Sequence, residues 1–97
     1  MKSTSEYIKL LRQFKEQNAD KYGITKLGLF GSVARGEQDE DSDVDIYLES
    51  EPHSLFTMAH IKEELQELLG CRVDIVRLRE QMNLLLRKRI EKEGIYV

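Results

Sequence analysis

One fifteen-residue stretch constrains this chain more than any other: Gly31-Ser32-Val33-Ala34-Arg35-Gly36-Glu37-Gln38-Asp39-Glu40-Asp41-Ser42-Asp43-Val44-Asp45. A Gly-Ser turn leads into an acidic loop, and two aspartates follow at the start of an apolar strand. A tight turn that frees backbone N–H groups is a place to hold phosphate. Carboxylates at i and i+2 of a strand share a face and stand about 6.5–7 Å apart along it. Such a pair suits a hard, oxygen-seeking cation such as Mg²⁺. A phosphate cradle and a cation bracket joined by a short loop point to a site for handling a nucleotide.

The elements around this stretch are readable. Ser3-Thr4-Ser5-Glu6 has the form of a capping box, and Tyr7, Leu10, Leu11 and Phe14 follow at helical spacing, so a first helix is expected over residues 4–20, stopped by Gly23. Thr25–Phe30 reads as a strand, Gly31–Gly36 as a turn with one helical turn, and Glu37–Asp41 as a solvated loop. Over Ser42–Glu49, Asp43, Asp45 and Tyr47 alternate with Val44, Ile46 and Leu48, the period of a strand with one buried side. Ser54 is the expected N-cap of a second helix through Leu69, packing through Met58, Ile61, Leu65 and Leu68 and ending at Gly70. Cys71–Arg77 gives a third strand, and residues 79–93 a last helix packing through Met82, Leu85, Leu86 and Ile90. The expected architecture is α/β (α+β): one domain over residues 1–97, with a small mixed three-stranded sheet and about four helices.

Composition removes several classes of function. No apolar run exceeds three residues, so no membrane span is expected, and no apolar stretch follows Met1–Glu6 as a secretory signal would require. A single cysteine, Cys71, allows no internal disulfide and fits a reducing cytoplasm. Charge is segregated: residues 1–36 carry a net +4, residues 37–70 a net −10 and residues 71–97 a net +3. The acidic block holds the aspartate pair; it attracts cations and repels nucleic acid, so no direct nucleic-acid binding is expected.

Asp74 is the odd residue of the third strand, set between Val73 and Ile75. In such a context a carboxylate needs an ion partner, a hydrogen bond or a metal. Strands joined through one helix are often neighbours. Asp74 beside Asp43 and Asp45 would complete a cluster of three carboxylates whose mutual repulsion a divalent cation relieves.

Gly31-Ser32-x-Ala34-Arg35-Gly36, five residues, then Ser42-Asp43-x-Asp45 with Ile46-Tyr47-Leu48 behind, resembles the DNA polymerase beta-like nucleotidyltransferase superfamily, and within it the minimal nucleotidyltransferases of bacteria and archaea. The resemblance covers most of the chain, including the leading helix and the Val73-Asp74-Ile75-Val76 strand. It implies a nucleotidyltransferase core in which Gly31 and Ser32 hold the triphosphate of ATP. It further implies that Asp43 and Asp45 bind Mg²⁺, as one or two ions, and that Asp74 joins a second ion or helps deprotonate the acceptor. Arg35 is close enough in sequence to touch phosphate or to pair with the acidic loop. Almost nothing lies outside the core, so a partner is expected to supply the acceptor. Minimal proteins of this kind are similar to antitoxins paired with HEPN-type ribonuclease toxins, some of which receive AMP on a tyrosine. The alternatives are an inactive module that neutralises a toxin by masking, and transfer to a small molecule.

Plainer roles stand beside these. Asp43 and Asp45 could be ordinary edge-strand charges, Asp74 a partner for Arg72 or Arg77, and Ser32 a turn or cap residue. His53 and His60 lack neighbours at metal spacing and read as surface or cap residues. Cys71 reads as a small core residue; Arg87-Lys88-Arg89 most simply forms a solvated helix face, the alternative being a contact with an acidic partner or phosphate. The tail around Tyr96 either tucks onto the sheet or offers a docking edge.

Overall fold

The computed structural model describes residues 1–97. Its elements are α1 (Thr4–Tyr22), β1 (Ile24–Phe30), α2 (Gly31–Arg35), β2 (Val44–Ser50), α3 (Leu55–Leu69), β3 (Val73–Arg77), α4 (Leu84–Glu93) and β4 (Ile95–Tyr96). They form a mixed sheet in the order β3-β2-β1-β4, with β1 antiparallel to β2 and β4, and β2 parallel to β3. A parallel pair needs a long crossover, and α3 supplies it.

Alternation along the central strands sorts the side chains onto two faces. Leu27 and Leu29 of β1 and Val44, Ile46 and Leu48 of β2 pack against Tyr7, Leu11 and Phe14 of α1 and Ile61, Leu65 and Leu69 of α3. On the opposite face Phe30 and Tyr47 lie under Ile90 of α4, with Leu86, Met82 and Val76 around them. No helix is long and apolar enough to cross a membrane.

The helix starts follow local chemistry. Ser3 and Glu6 form the capping box of α1, and Ser54 caps α3 through the Thr57 N–H. Helix α1 runs two residues past the expected end because Gly23, at φ 63°, forms the left-handed cap. The last helix differs more. It begins at Leu84, where the Asn83 side chain accepts from the Leu86 N–H, rather than at residue 79. Met82 packs on the sheet from the preceding turn, while Leu85 points into solvent. The helical spacing seen in the sequence therefore mixed one turn residue with true helix positions.

The sheet also has a fourth strand. Beyond Gly94 the tail pairs with β1, setting Ile95 opposite Leu29 and Tyr96 opposite Gly28. Gly28 permits this approach, because a Cβ there would overlap the Ile95 carbonyl and the Tyr47 ring. Two strand residues are too few to show a period in sequence.

Candidate active site

The site lies where β1 ends and β2 and β3 begin. Phe30 pairs with Asp45 across β1 and β2, and Asp45 pairs with Asp74 across β2 and β3. Residues opposite one another in a ladder share a face, and so do i and i+2. Asp45 and Asp74 therefore belong to one side of the sheet, the side that carries α4; β2 begins at Val44 rather than at Ser42, so Asp43 lies just ahead of the strand, where its charge acts on Asp45. Adjacent strands run about 4.8 Å apart, so Asp74 is a direct neighbour of Asp45.

The Gly31-Ser32 turn is fixed from below. Val33 is fully buried, and the Thr4 hydroxyl donates to its carbonyl at 2.6 Å, tying the turn to the start of α1. Gly31 has φ 74°, and a Cβ at that position would overlap Asp45 Oδ2. Only glycine lets the turn lie directly against the carboxylate. Phe30 is the N-cap of α2 and offers no side-chain acceptor, so the N–H groups of the first turn carry no side-chain cap. Ser32 is a residue of that turn and not its cap.

Each carboxylate has a different environment. Asp45 is half-buried, and its carboxyl is pushed above the ordinary carboxylate range, first by burial and then by the negative charge of Asp74; Arg89, Asp43 and Arg35 act with smaller effect, the arginines in the opposite direction. Asp43 Oδ1 is enclosed and has no hydrogen-bond donor; Arg72 Nε stands 3.1 Å away as an ion partner without hydrogen-bond alignment. Asp74 differs from expectation. It is exposed, because β3 is an edge strand, and no ion pair engages it, Arg72 having turned to Asp43. Its position, rather than a burial penalty, links it to the site.

These residues fit a divalent cation in kind. The donors are all carboxylate oxygens, one is enclosed without a donor, and the repulsion felt by Asp45 is what a cation would relieve. They are not drawn onto one point: no three acidic, histidine or cysteine side chains are gathered at metal-ligand spacing.

Arg35 reaches Glu37 at 3.1 Å and Glu93 of α4 at 3.0 Å. Arg89, expected on a solvated helix face, lies over the Phe30 ring beside this site and 3.5 Å from Glu93. The histidines lie elsewhere, His53 on the Tyr22 carbonyl at 2.6 Å and His60 on Glu64 at 2.7 Å. Cys71 is half-buried, with its Sγ 3.8 Å from the Tyr7 hydroxyl. A concavity of about 410 Å³ lies farther along the same sheet face, walled by Lys26, Tyr47, Glu49, Arg79, Ile90 and Tyr96, and none of the predicted site residues lines it.

Residues 11–97 match the family model described as the nucleotidyltransferase domain. The chain belongs to this nucleotidyltransferase family. It is 39% identical over 100 residues to MJ1379 of Methanocaldococcus jannaschii, named as a candidate protein adenylyltransferase, with both chains covered in full. It is 36% identical over 98 residues to the protein adenylyltransferase MntA of Thermococcus cleftensis, covering 100% of this chain and 98% of that one. A solved structure described as a candidate minimal nucleotidyltransferase superposes with TM-score 0.77 at 35% identity, over 97% of this chain and 95% of that one. A toxin-antitoxin structure with AMP-PNP also reaches TM-score 0.77, over 91% of this chain and 69% of that one, and at 22% identity shows the shared fold. The mixed sheet with its four helices is thus a nucleotidyltransferase fold.

Proposed function

We propose that this nucleotidyltransferase transfers AMP from ATP to a protein hydroxyl, with a tyrosine of a HEPN-type toxin as acceptor, and so acts as a cytoplasmic antitoxin built on a single domain, residues 1–97. The observation that carries the reading is the pairing of Asp45 with Asp74 on one face, with Asp43 two residues away and Gly31 against Asp45. The relatives named as protein adenylyltransferases support AMP as the group moved. A structural neighbour described as a tri-AMPylated HEPN toxin with its MNT antitoxin supports the acceptor class. Leu55 and Phe56 are almost fully exposed, an apolar surface that a protein partner would cover.

In this reading Gly31 and Ser32 hold the triphosphate through the N–H groups of the turn and the Ser32 hydroxyl. Asp43 and Asp45 hold Mg²⁺, with Asp74 beside them; when bound, the ion supplies charge neutralisation to the phosphates. Phosphoryl chemistry asks for in-line placement and electrostatic support more than for covalent help. The acceptor oxygen bonds to the α-phosphorus as the bond from that phosphorus to the bridging oxygen breaks, and pyrophosphate departs. In this reading Asp74, which is exposed and has no ion pair, takes the hydroxyl proton.

The test is to incubate the purified chain and a HEPN-type partner with Mg²⁺ and ATP labelled at the α-phosphate, with Asp43→Asn as control. Label on the partner with native Asp43 alone is the expected result. Neutralisation of the partner that persists in Asp43→Asn, without label, would instead mean masking.

A further inference from the structure

The acidic site has a basic rim contributed by α4. The Arg89 guanidinium lies 5.8 Å from the centre of the Phe30 ring, and Phe30 is both the residue opposite Asp45 and the one that precedes Gly31. Arg89 therefore stands over the strand exit that leads into the turn. Arg35 approaches from α2. Glu93 lies between them: its Oε2 is 3.0 Å from Arg35 Nη1 and 3.5 Å from Arg89 Nε. One carboxylate oxygen thus holds two guanidiniums, and both act electrostatically on Asp45. Arg87, one residue pair earlier on the same helix, turns away and donates to the Arg79 carbonyl at 2.8 Å.

Glu37 also holds Arg35, at 3.1 Å, so two separate carboxylates balance the two guanidiniums. A polyphosphate can replace both at once, because it presents several charged oxygens to planar, multidentate donors. We propose that Arg89 is, with Arg35, a ligand of the nucleotide's polyphosphate, and that Glu93 is an internal competitor occupying both arginines until the polyphosphate displaces it. The inference rests on the reading of the Gly31–Asp45 site as the place where the triphosphate binds. It adds α4 to the phosphate-binding surface and makes ligand affinity depend on breaking the two ion pairs to Glu93.

The test measures binding of Mg²⁺-ATP, and separately of Mg²⁺-pyrophosphate, to the full chain by calorimetry. Arg89→Gln should weaken both by on the order of 10- to 100-fold, the effect of losing a charge-assisted contact. Arg89→Lys should recover part of the loss, since it restores charge without the fork. Arg87→Gln removes the same charge from the same helix away from the site, and should change affinity by less than about 3-fold. Glu93→Gln should tighten binding by about 5-fold, because two exposed ion pairs no longer compete. Equal losses in Arg89→Gln and Arg87→Gln would overturn the proposal, as would a Glu93→Gln variant that binds as weakly as Arg89→Gln. Failure of the folded native chain to bind either ligand would overturn the underlying reading of the site; native binding with unchanged variants overturns the role of Arg89 alone.

Discussion

Gly31→Ala tests the contact on which the site is built. The position has φ 74°, and left-handed backbone costs an L-residue about 1–2 kcal/mol. For a domain near 100 residues that corresponds to a fall in Tm of roughly 5–15 °C. The added methyl would also overlap Asp45 Oδ2 and come within 3.1 Å of Asp45 Cγ and 3.3 Å of its Cβ, so the carboxylate must rotate away from the turn. Stability loss should therefore accompany loss of Mg²⁺-ATP binding. The two effects separate in a double-mutant cycle with Asp45→Ala. Removing the carboxylate abolishes the overlap but leaves the backbone strain, so the double variant should be more stable than the two single changes added together, by about 1 kcal/mol. Thermal melts of the four proteins, with calorimetric titration of Mg²⁺-ATP into each, supply the data. Simple additivity, or a Gly31→Ala protein with native Tm and affinity, would refute the argument that this glycine exists to admit Asp45.

Asp45→Asn should abolish Mg²⁺-dependent nucleotide binding and leave the fold at least as stable at neutral pH. The native carboxyl is held above its ordinary range by burial and by Asp74, so its ionised form opposes folding, and the advantage of Asn should fade as pH falls into the carboxylate range; urea melts at neutral and acid pH measure this. Burial raises the Tyr22 and Tyr47 hydroxyls to about 12 from 10.0. The folded chain then keeps protons that the unfolded chain releases. This contribution to stability is intact below pH 10 and lost as pH climbs towards about 12, which denaturant melts and phenolate absorbance across that window will show. Tyr22→Phe removes the 2.6 Å hydrogen bond to Glu64 and should cost about 1 kcal/mol in a urea melt. Gly28→Ala should push β4 from β1, seen as faster amide exchange at Val97, whose N–H donates to the Leu27 carbonyl at 2.9 Å.

The sequence carried the parts of the fold that have local causes. The Ser3–Glu6 box, the Ser54 cap and the alternation from Val44 to Leu48 each declare themselves within a few residues, and each is present. The adjacency of β2 and β3 was expected from their single-helix connection and is present in register. What escaped depends on distant contacts. Asp74 looked like a buried charge because Val73 and Ile75 flank it, but an edge strand leaves that side open. Leu85 looked like a core position because the helix was begun too early. Arg72 pairs with Asp43 and not with Asp74, and Arg89 of α4 stands over Phe30 at the rim of the site, neither of which has a period to read.

Helix α4 is secured unevenly. Ile90 is buried, and the two residues after Gly94 are stitched into the sheet, whereas Leu84 and Leu85 at its other end are bare. The half that bears Arg89 and Glu93 is thereby pinned to the same strand, β1, that delivers Gly31. Lengthening or shortening the connection over residues 78–83 would shift the loose end and leave the charged end registered against the face that carries Asp45.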